Sequence, residues 1–248
     1  AEEVVAPEGG ADAETVADAA ARAARALWAH ERIAERAGAN GGTLDGLDRA
    51  EVRALVPPPR ALTGPDAERL ALDAPGARVA RARAWAGLDP ALPGLRAPGA
   101  LTIVVVPHLP AGRPAPTPGL LRLVRRHLEP RRIMGTRLVV AGPSYVEVTV
   151  AARLVARADA RPAAVRERAV AALRAFLDPL GGGPAGRGWP FGRDVRRAEL
   201  LALLDGVPGV EHVAELGLSA RGAAGCGDVC VPPGALVALE PPAVEVGP

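Results

Sequence analysis

The sequence predicts an α+β protein: a helical N-terminal segment followed by two small ferredoxin-like α/β units. Three observations support this prediction. Residues 12–37 are dense in helix formers. A strand–helix–strand pattern follows, ending at Ala141, and a period-two strand begins shortly after the Gly142-Pro143 break. Because each pattern alternates strands with helices, we expect helices to cover one face of each sheet. The predicted boundaries are 1–61, 62–141 and 142–248.

The helical lead-in is predicted from composition and stop signals. Residues 12–37 are rich in Ala, Arg and Glu, with Asp12 as the N-cap and glycines from Gly38 onward as the stop. A second short helix is predicted from Leu47 to Leu55. Three prolines at 57–59 then favour an extended segment and mark the domain boundary.

In the first unit, Thr63 is the predicted cap of a helix from Gly64 to Ala74. Val79 to Trp85 is predicted to be a strand. The β-branched run from Leu101 to Val106 indicates a strand buried on both faces. It is followed by an amphipathic helix at 119–129 and by a short apolar strand from Leu138 to Ala141, so a parallel crossover is expected.

The second unit begins after Gly142-Pro143 with a half-buried strand from Val146 to Leu154, whose apolar residues alternate with polar ones. Pro162 is predicted to open a helix running to about Leu177, and Asp194 to cap a helix that carries Leu200. The remaining predicted strands are Val210–Leu218, Leu236–Leu239 and Val244–Val246. The last two must pair within the chain or leave an exposed edge.

Composition narrows the functional classes. The chain has 30 basic and 28 acidic residues, a formal charge of +2, and all of its basic residues are arginine. This balance gives no global field that would attract nucleic acid or an anionic membrane. No apolar run approaches the roughly 20 residues of a membrane span, and the acidic start does not resemble a signal peptide. Cys226 and Cys230 lack the paired partners of a zinc site, so we expect ordinary thiols.

Catalytic patterns are not evident in the sequence. Of the four histidines, His127 lies on the polar side of the predicted helix at 119–129, and His108 follows a strand without a nearby nucleophile or carboxylate. The glycine run from Gly181 to Gly186 follows a helix and lacks the GK[ST] of a phosphate-binding loop. We therefore expect a flexible surface loop there, and no catalytic, cofactor or metal site.

Six arginines lie in or just after the predicted helix: Arg122, Arg125, Arg126, Arg131, Arg132 and Arg137. They are the best candidates for a nucleic-acid surface. However, aromatic residues, on which bases stack, make up only 2% of the chain. A charged protein interface fits this composition better, because arginine is enriched at interfaces.

The aromatic residues Trp189 and Phe191 flank Pro190 in the motif GWPFGR, in a chain with few other aromatic residues. Proline stiffens the turn, and the rings could anchor it in the core. The alternative is an interface anchor, because tryptophan is enriched in binding hot spots.

These motifs form an ordered set. GWPFGRDV followed by AELLALLDGVPGVEHV is similar to the C-terminal signature of the baseplate J-like family of putative baseplate assembly proteins. Three further stretches resemble that family in the same order: PEGGADAET, RALTGPDAERLALDAPGARVARARAWAG and TRLVVAGPSYVEVTVAA. The resembling signature residues are Gly142, Pro143, Tyr145, Trp189, Pro190, Phe191, Gly192 and Arg193. The stretch 30–59 is longer than in many relatives, and the large N-terminal region that relatives usually carry is not in this sequence.

The resemblance implies a structural wedge subunit in the baseplate of a contractile phage tail or contractile injection system, and not an enzyme. It implies other wedge subunits as partners, with a dimer of this chain as an alternative, and indirect links to hub, tube or sheath-adaptor proteins. It also implies assembly in the cytoplasm, without nucleic acid or direct membrane contact. The competing hypothesis from the residues is a ferredoxin-like ligand-binding or enzymatic domain, for which a deep pocket with convergent polar groups would be required.

Overall fold

The computed structural model describes residues 60–92, 95–221 and 227–247. Within these ranges the chain forms two compact units. The first contains the described residues up to Leu109 together with Ala115–Gly142, and the second contains Pro110–Pro114 together with the chain from Pro143 onward. The helices and mixed sheets confirm the predicted α+β class. The predicted helical lead-in lies almost entirely outside the described residues.

The first unit has the order α1, β1, β2, α2, β3. Its elements are α1 (Gly64–Leu72), β1 (Val79–Ala86), β2 (Ala100–Pro107), α2 (Pro118–Leu128) and β3 (Arg137–Ala141). These correspond to the last five elements of the β-α-β-β-α-β ferredoxin-like pattern. A short 3-10 turn, Glu129–Arg131, follows α2.

The central strand of the first unit is β2, which pairs antiparallel with β1 and parallel with β3. The parallel pairing confirms the strand–helix–strand crossover predicted from the sequence. Seven of the eight residues of β2 are buried, as its continuous apolar run predicted. The larger core residues of this unit come from both helices and from β2 and β3; they are Leu70, Ile103, Val105, Leu120, Val124, Leu128 and Leu138.

Capping explains where α1 begins. The Thr63 side chain accepts a hydrogen bond from the Asp66 N–H, and the Asp66 carboxylate accepts one from the Thr63 N–H. This reciprocal capping box satisfies two amide donors that a helix start leaves without partners. The predicted cap at Thr63 is confirmed.

The second unit contains two helices and four strands. They are β4 (Ser144–Ala156), α3 (Pro162–Phe176), α4 (Arg197–Asp205), β5 (Val210–Ala220), β6 (Ala235–Leu239) and β7 (Ala243–Gly247). The long strand β4 pairs antiparallel with β5 on one side and parallel with β6 and then β7 on the other. The two C-terminal strands therefore pair within the chain, which resolves the alternative left open by the sequence.

The core of the second unit lies between this sheet and its helices. Alternate residues of β4, including Val148, Val150 and Leu154, are fully buried, as the period-two pattern predicted. They belong to the same apolar cluster as Leu173 of α3 and Leu200 of α4. The cluster also contains Trp189.

The predicted cap of α4 is wrong. The N-cap is Arg196, and its side chain makes no capping hydrogen bond. The Asp194 carboxylate instead accepts a hydrogen bond from the Val231 N–H at 2.8 Å. Asp228 supplies the missing acceptor, because its Oδ1 lies 2.8 Å from the Arg197 N–H in the first turn of α4. The cap thus comes from a residue 31 positions away, which local pattern reading does not reveal.

Candidate functional site

Trp189 is the centre of a compact corner in the second unit. Its side chain is completely buried (0% exposed) and packs edge-on against Phe176 of α3, with ring centroids 5.5 Å apart and planes at 75°. The indole Nε1 donates a 3.0 Å hydrogen bond to the Arg193 carbonyl, so the one polar atom of the buried ring is satisfied. We call residues 176–193 around this ring the tryptophan corner.

The arginine of the GWPFGR motif completes this corner. The guanidinium carbon of Arg193 lies 5.6 Å from the centroid of the Trp189 ring, within the range of a cation–π contact. The same guanidinium forms an ion pair with Glu199 of α4. Arg193 therefore connects the buried ring to the neighbouring helix. Pro190 and Phe191, between these residues, are both half-buried.

Close backbone packing explains the glycine run. A Cβ on Gly182 would lie 2.5 Å from the carbonyl oxygens of Ala175 and Phe176, a distance that real Cβ atoms do not reach. Gly183 has a positive φ of 75°, and its N–H donates to the Phe176 carbonyl at 2.7 Å. This hydrogen bond holds the loop against the C-terminal end of α3. The expectation of an unconstrained surface loop is therefore wrong at these two glycines.

Gly192 connects the tryptophan corner to the sheet. Its N–H donates to the Ala235 carbonyl at 3.0 Å, and its φ is +66°. Ala235 opens β6 and is paired with Ser144 at the start of β4. The GWPFGR motif and the Pro143–Tyr145 motif, far apart in sequence, therefore meet at the beginning of β6. The sequence did not predict this meeting point.

Tyr145 holds a short segment against the second unit. Its hydroxyl donates a 2.8 Å hydrogen bond to the Pro114 carbonyl. In the same segment, Arg113 forms ion pairs with Glu147 of β4 and with Glu240. The segment Pro110–Pro114 is thus bound to the second unit by one hydroxyl and one guanidinium. Tyr145 has a structural role here that its place in the motif alone did not define.

Gly142 belongs to the first unit, at the end of β3. A Cβ there would lie 2.9 Å from both Cδ and Cγ of Pro116. The glycine is thus required by the proline ring packed against it. Of the signature residues, those from Pro143 onward lie in the second unit. Gly192 bonds to Ala235 at the start of β6, and Tyr145 pairs with Leu236 in the same strand.

The first unit carries a candidate site of a different kind, an exposed surface around the turn between α2 and β3. The Thr136 N–H donates to the Ile133 carbonyl at 3.1 Å, and Gly135 has a φ of +82°, as in a type II turn. This places Met134, the single methionine of the chain, at the tip of the turn with 95% of its surface exposed. We call this feature the Met134 turn.

The Met134 turn is braced by Arg132. Its Nε donates to the Glu129 carboxylate at 2.7 Å, and its Nη1 donates to the Thr136 carbonyl at 2.8 Å. A shallow hollow open to solvent adjoins the turn, and Arg125, Arg132, Thr136 and Arg137 are among the residues that line it. The sequence identified the arginines but not the exposed methionine beside them.

Within the described ranges, no group of three or more His, Cys, Asp or Glu side chains is arranged to hold a metal ion. Cys230 is a free, exposed thiol, whereas Cys226 lies outside the described residues. His108 is exposed and His127 is half-buried. None of the described helices is both long and apolar enough to cross a bilayer.

Comparison with known proteins gives a structural neighbour. No protein-family profile and no curated protein sequence matches the chain. Among solved structures, the fold is similar to a chain in the cryo-EM structure of the anti-feeding prophage (AFP) baseplate, 6-fold symmetrised, with a TM-score of 0.54 and 22% sequence identity. The similarity covers 73% of this chain and 38% of the AFP chain, so this chain spans well under half of its neighbour. At this level of identity the comparison shows a shared fold.

Proposed function

We propose that this chain is a structural component of the baseplate of a contractile injection system or contractile phage tail. More specifically, we propose that it is a wedge subunit of the baseplate J-like family, and that this sequence corresponds to the C-terminal portion of such a subunit. The observation that carries the proposal is the fold similarity to the AFP baseplate chain over 73% of the residues. The ordered set of family-like motifs in the sequence supports the proposal independently, because it does not depend on the structure.

The roles of the signature residues fit a structural function. Trp189 is fully buried, Gly192 is bonded to β6, and the Tyr145 hydroxyl holds Pro114. Each of them stabilises the fold, and none lies in a cleft with a nucleophile and a base in the arrangement that catalysis needs. The signature residues Tyr145, Trp189, Gly192 and Arg193 are therefore best interpreted as residues that hold the second unit together.

The shape of the described surface favours association over ligand binding. Two hollows of the described surface, one beside the Met134 turn and one between α3 and β7, are both open to solvent. A site for a small molecule buries most of its ligand and is normally a deep cleft. Subunits of an assembly meet instead over broad surfaces of at least about 1,000 Å².

The proposal is tested by analytical ultracentrifugation of the purified chain, alone and mixed with the other baseplate subunits encoded beside its gene. We expect a complex of defined stoichiometry with at least one of these subunits. A chain that remains monomeric at high concentration with every candidate subunit would contradict the wedge function and would favour the ligand-binding alternative.

A further inference from the structure

We propose that the Met134 turn and the arginines around it form the docking surface for a neighbouring baseplate subunit, and that this subunit presents acidic side chains around an apolar pocket. The inference rests on the proposed function and adds to it the location of one contact and the chemistry of the partner.

Large apolar side chains are exposed at and beside the Met134 turn. Met134 is 95% exposed, and Ile133, next to it in the turn, is 46% exposed. Leu62 is 63% exposed and follows Ala61, whose N–H donates to the Arg131 carbonyl at 2.8 Å beside the turn. Large apolar side chains exposed on adjacent stretches of backbone are typical of an interaction site.

The Met134 turn is held in place by hydrogen bonds. The bond between Thr136 and Ile133 closes the turn, and the Arg132 guanidinium holds it from one side through bonds to Glu129 and to the carbonyls of Ile133 and Thr136. A side chain presented on a braced turn loses little conformational freedom when it binds. Methionine suits this role because its flexible, polarisable side chain adapts to an apolar pocket.

The surface around the Met134 turn carries a net positive charge. From α2 to the end of β3, residues 118–141 contain six arginines and one glutamate, and Asp89 pairs with Arg137, which leaves an excess of four formal positive charges. The Arg125 and Arg137 side chains line the hollow beside the turn and are each more than half exposed, although Arg125 already pairs with Glu129 at 3.8 Å and Arg137 with Asp89 at 2.5 Å. Guanidinium groups pair with carboxylates in planar, two-point contacts, so the surface fits a partner rich in Asp or Glu.

The combination of an apolar tip and an arginine rim is the composition of a protein interface, where methionine and arginine are both enriched. A nucleic-acid surface would need aromatic side chains on which bases stack. None of the seven residues that line the hollow is aromatic, and neither are the exposed apolar residues of the turn. The surface therefore fits an acidic protein partner better than a nucleic acid.

The test uses the full chain expressed with its own baseplate subunits. In one variant the photocrosslinking residue p-benzoylphenylalanine replaces Met134, and in the matched control it replaces Arg166, an exposed residue of α3 in the second unit. A second pair compares R125E/R126E with R166E, all at exposed helix positions. Thermal melts establish that each variant is folded.

We expect Met134 to crosslink to a segment of another subunit that contains Asp or Glu, and R125E/R126E to lower incorporation into assemblies about tenfold while R166E does not. Crosslinking of Met134 to residues 1–59 of the same chain would overturn the inference, as would unchanged incorporation of both R125E/R126E and a Met134→Asp variant. Salt-dependent binding of DNA or RNA oligonucleotides that R125E/R126E abolishes would also overturn it. In each of these outcomes the wild-type chain is still incorporated into assemblies, and only the docking surface is wrong. If the proposed function itself is wrong, the wild-type chain is not incorporated into assemblies.

Discussion

The indole of Trp189 donates a 3.0 Å hydrogen bond to the carbonyl of Arg193, and the Arg193 guanidinium in turn lies over the indole ring. Each residue thus stabilises the other. The Arg193 carbonyl accepts the hydrogen bond that the buried indole needs, and the Trp189 ring offers the face that the guanidinium cation favours. The ion pair from Arg193 to Glu199 extends this contact to α4. The tryptophan corner is therefore a joint between α3, α4 and the loop that connects them.

Replacement of Trp189 by alanine is expected to destabilise the chain by about 3–5 kcal/mol, because a fully buried aromatic side chain is removed from the core. Urea denaturation followed by circular dichroism measures the change. Pro184→Ala, at an exposed position of the same loop, is the control and should change stability little. An unchanged urea denaturation curve for Trp189→Ala would show that the ring is not an anchor.

Replacement of Gly182 by alanine should destabilise the chain by about 1–3 kcal/mol or more, because the new Cβ would overlap two carbonyl oxygens at 2.5 Å and the backbone must move. Gly112→Ala is the matched control, since a Cβ there meets nothing within 4 Å. Comparable stabilities of the two variants in the same denaturation assay would contradict the close packing of the glycine run.

Asp228→Ala is expected to cost about 1 kcal/mol, because it removes the acceptor for the first-turn N–H of α4. Asp228→Asn keeps a side-chain oxygen at the same position and should retain most of the stability. The comparison by thermal denaturation separates the loss of a cap from the loss of a charge. Equal destabilisation by both substitutions would mean that the carboxylate acts through its charge and not as a helix cap.

Gly142→Ala should destabilise the first unit, since the added Cβ would lie 2.9 Å from the Pro116 ring. A double-mutant cycle with Pro116→Ala tests the cause, because removing the ring should relieve most of the clash. We expect a coupling energy of at least about 0.5 kcal/mol between the two substitutions. Simple additivity would show that Gly142 is needed for another reason.

Local patterns in the sequence predicted most of the secondary structure. The run from Leu101 to Val106 gave β2, the alternation from Val146 to Leu154 gave the centre of β4, and Thr63 gave the start of α1. Each of these signals lies within one element, where hydrophobic period or capping chemistry acts between neighbouring residues. The observed strand β4 is longer than predicted, from Ser144 to Ala156, because its ends are fixed by pairing with other strands.

The features that the sequence did not predict depend on distant partners. Asp194 has the chemistry of a cap, yet it bonds to Val231, and Asp228 caps α4 from 31 residues away. Gly182 and Gly183 resemble a loose loop until the carbonyls of α3 are placed around them. The Met134 turn could not be predicted from the sequence, because exposure is a property of the folded surface and no local pattern marks it.

The central claim, that this chain is a baseplate component, is tested most directly by cryo-electron microscopy of contractile particles purified from the source organism. The account predicts density at the baseplate into which both units fit with their sheets intact, repeated according to the symmetry of the particle, with Trp189 buried between α3 and α4. Complete particles whose baseplate is accounted for by other proteins, and in which mass spectrometry does not detect this chain, would contradict the account.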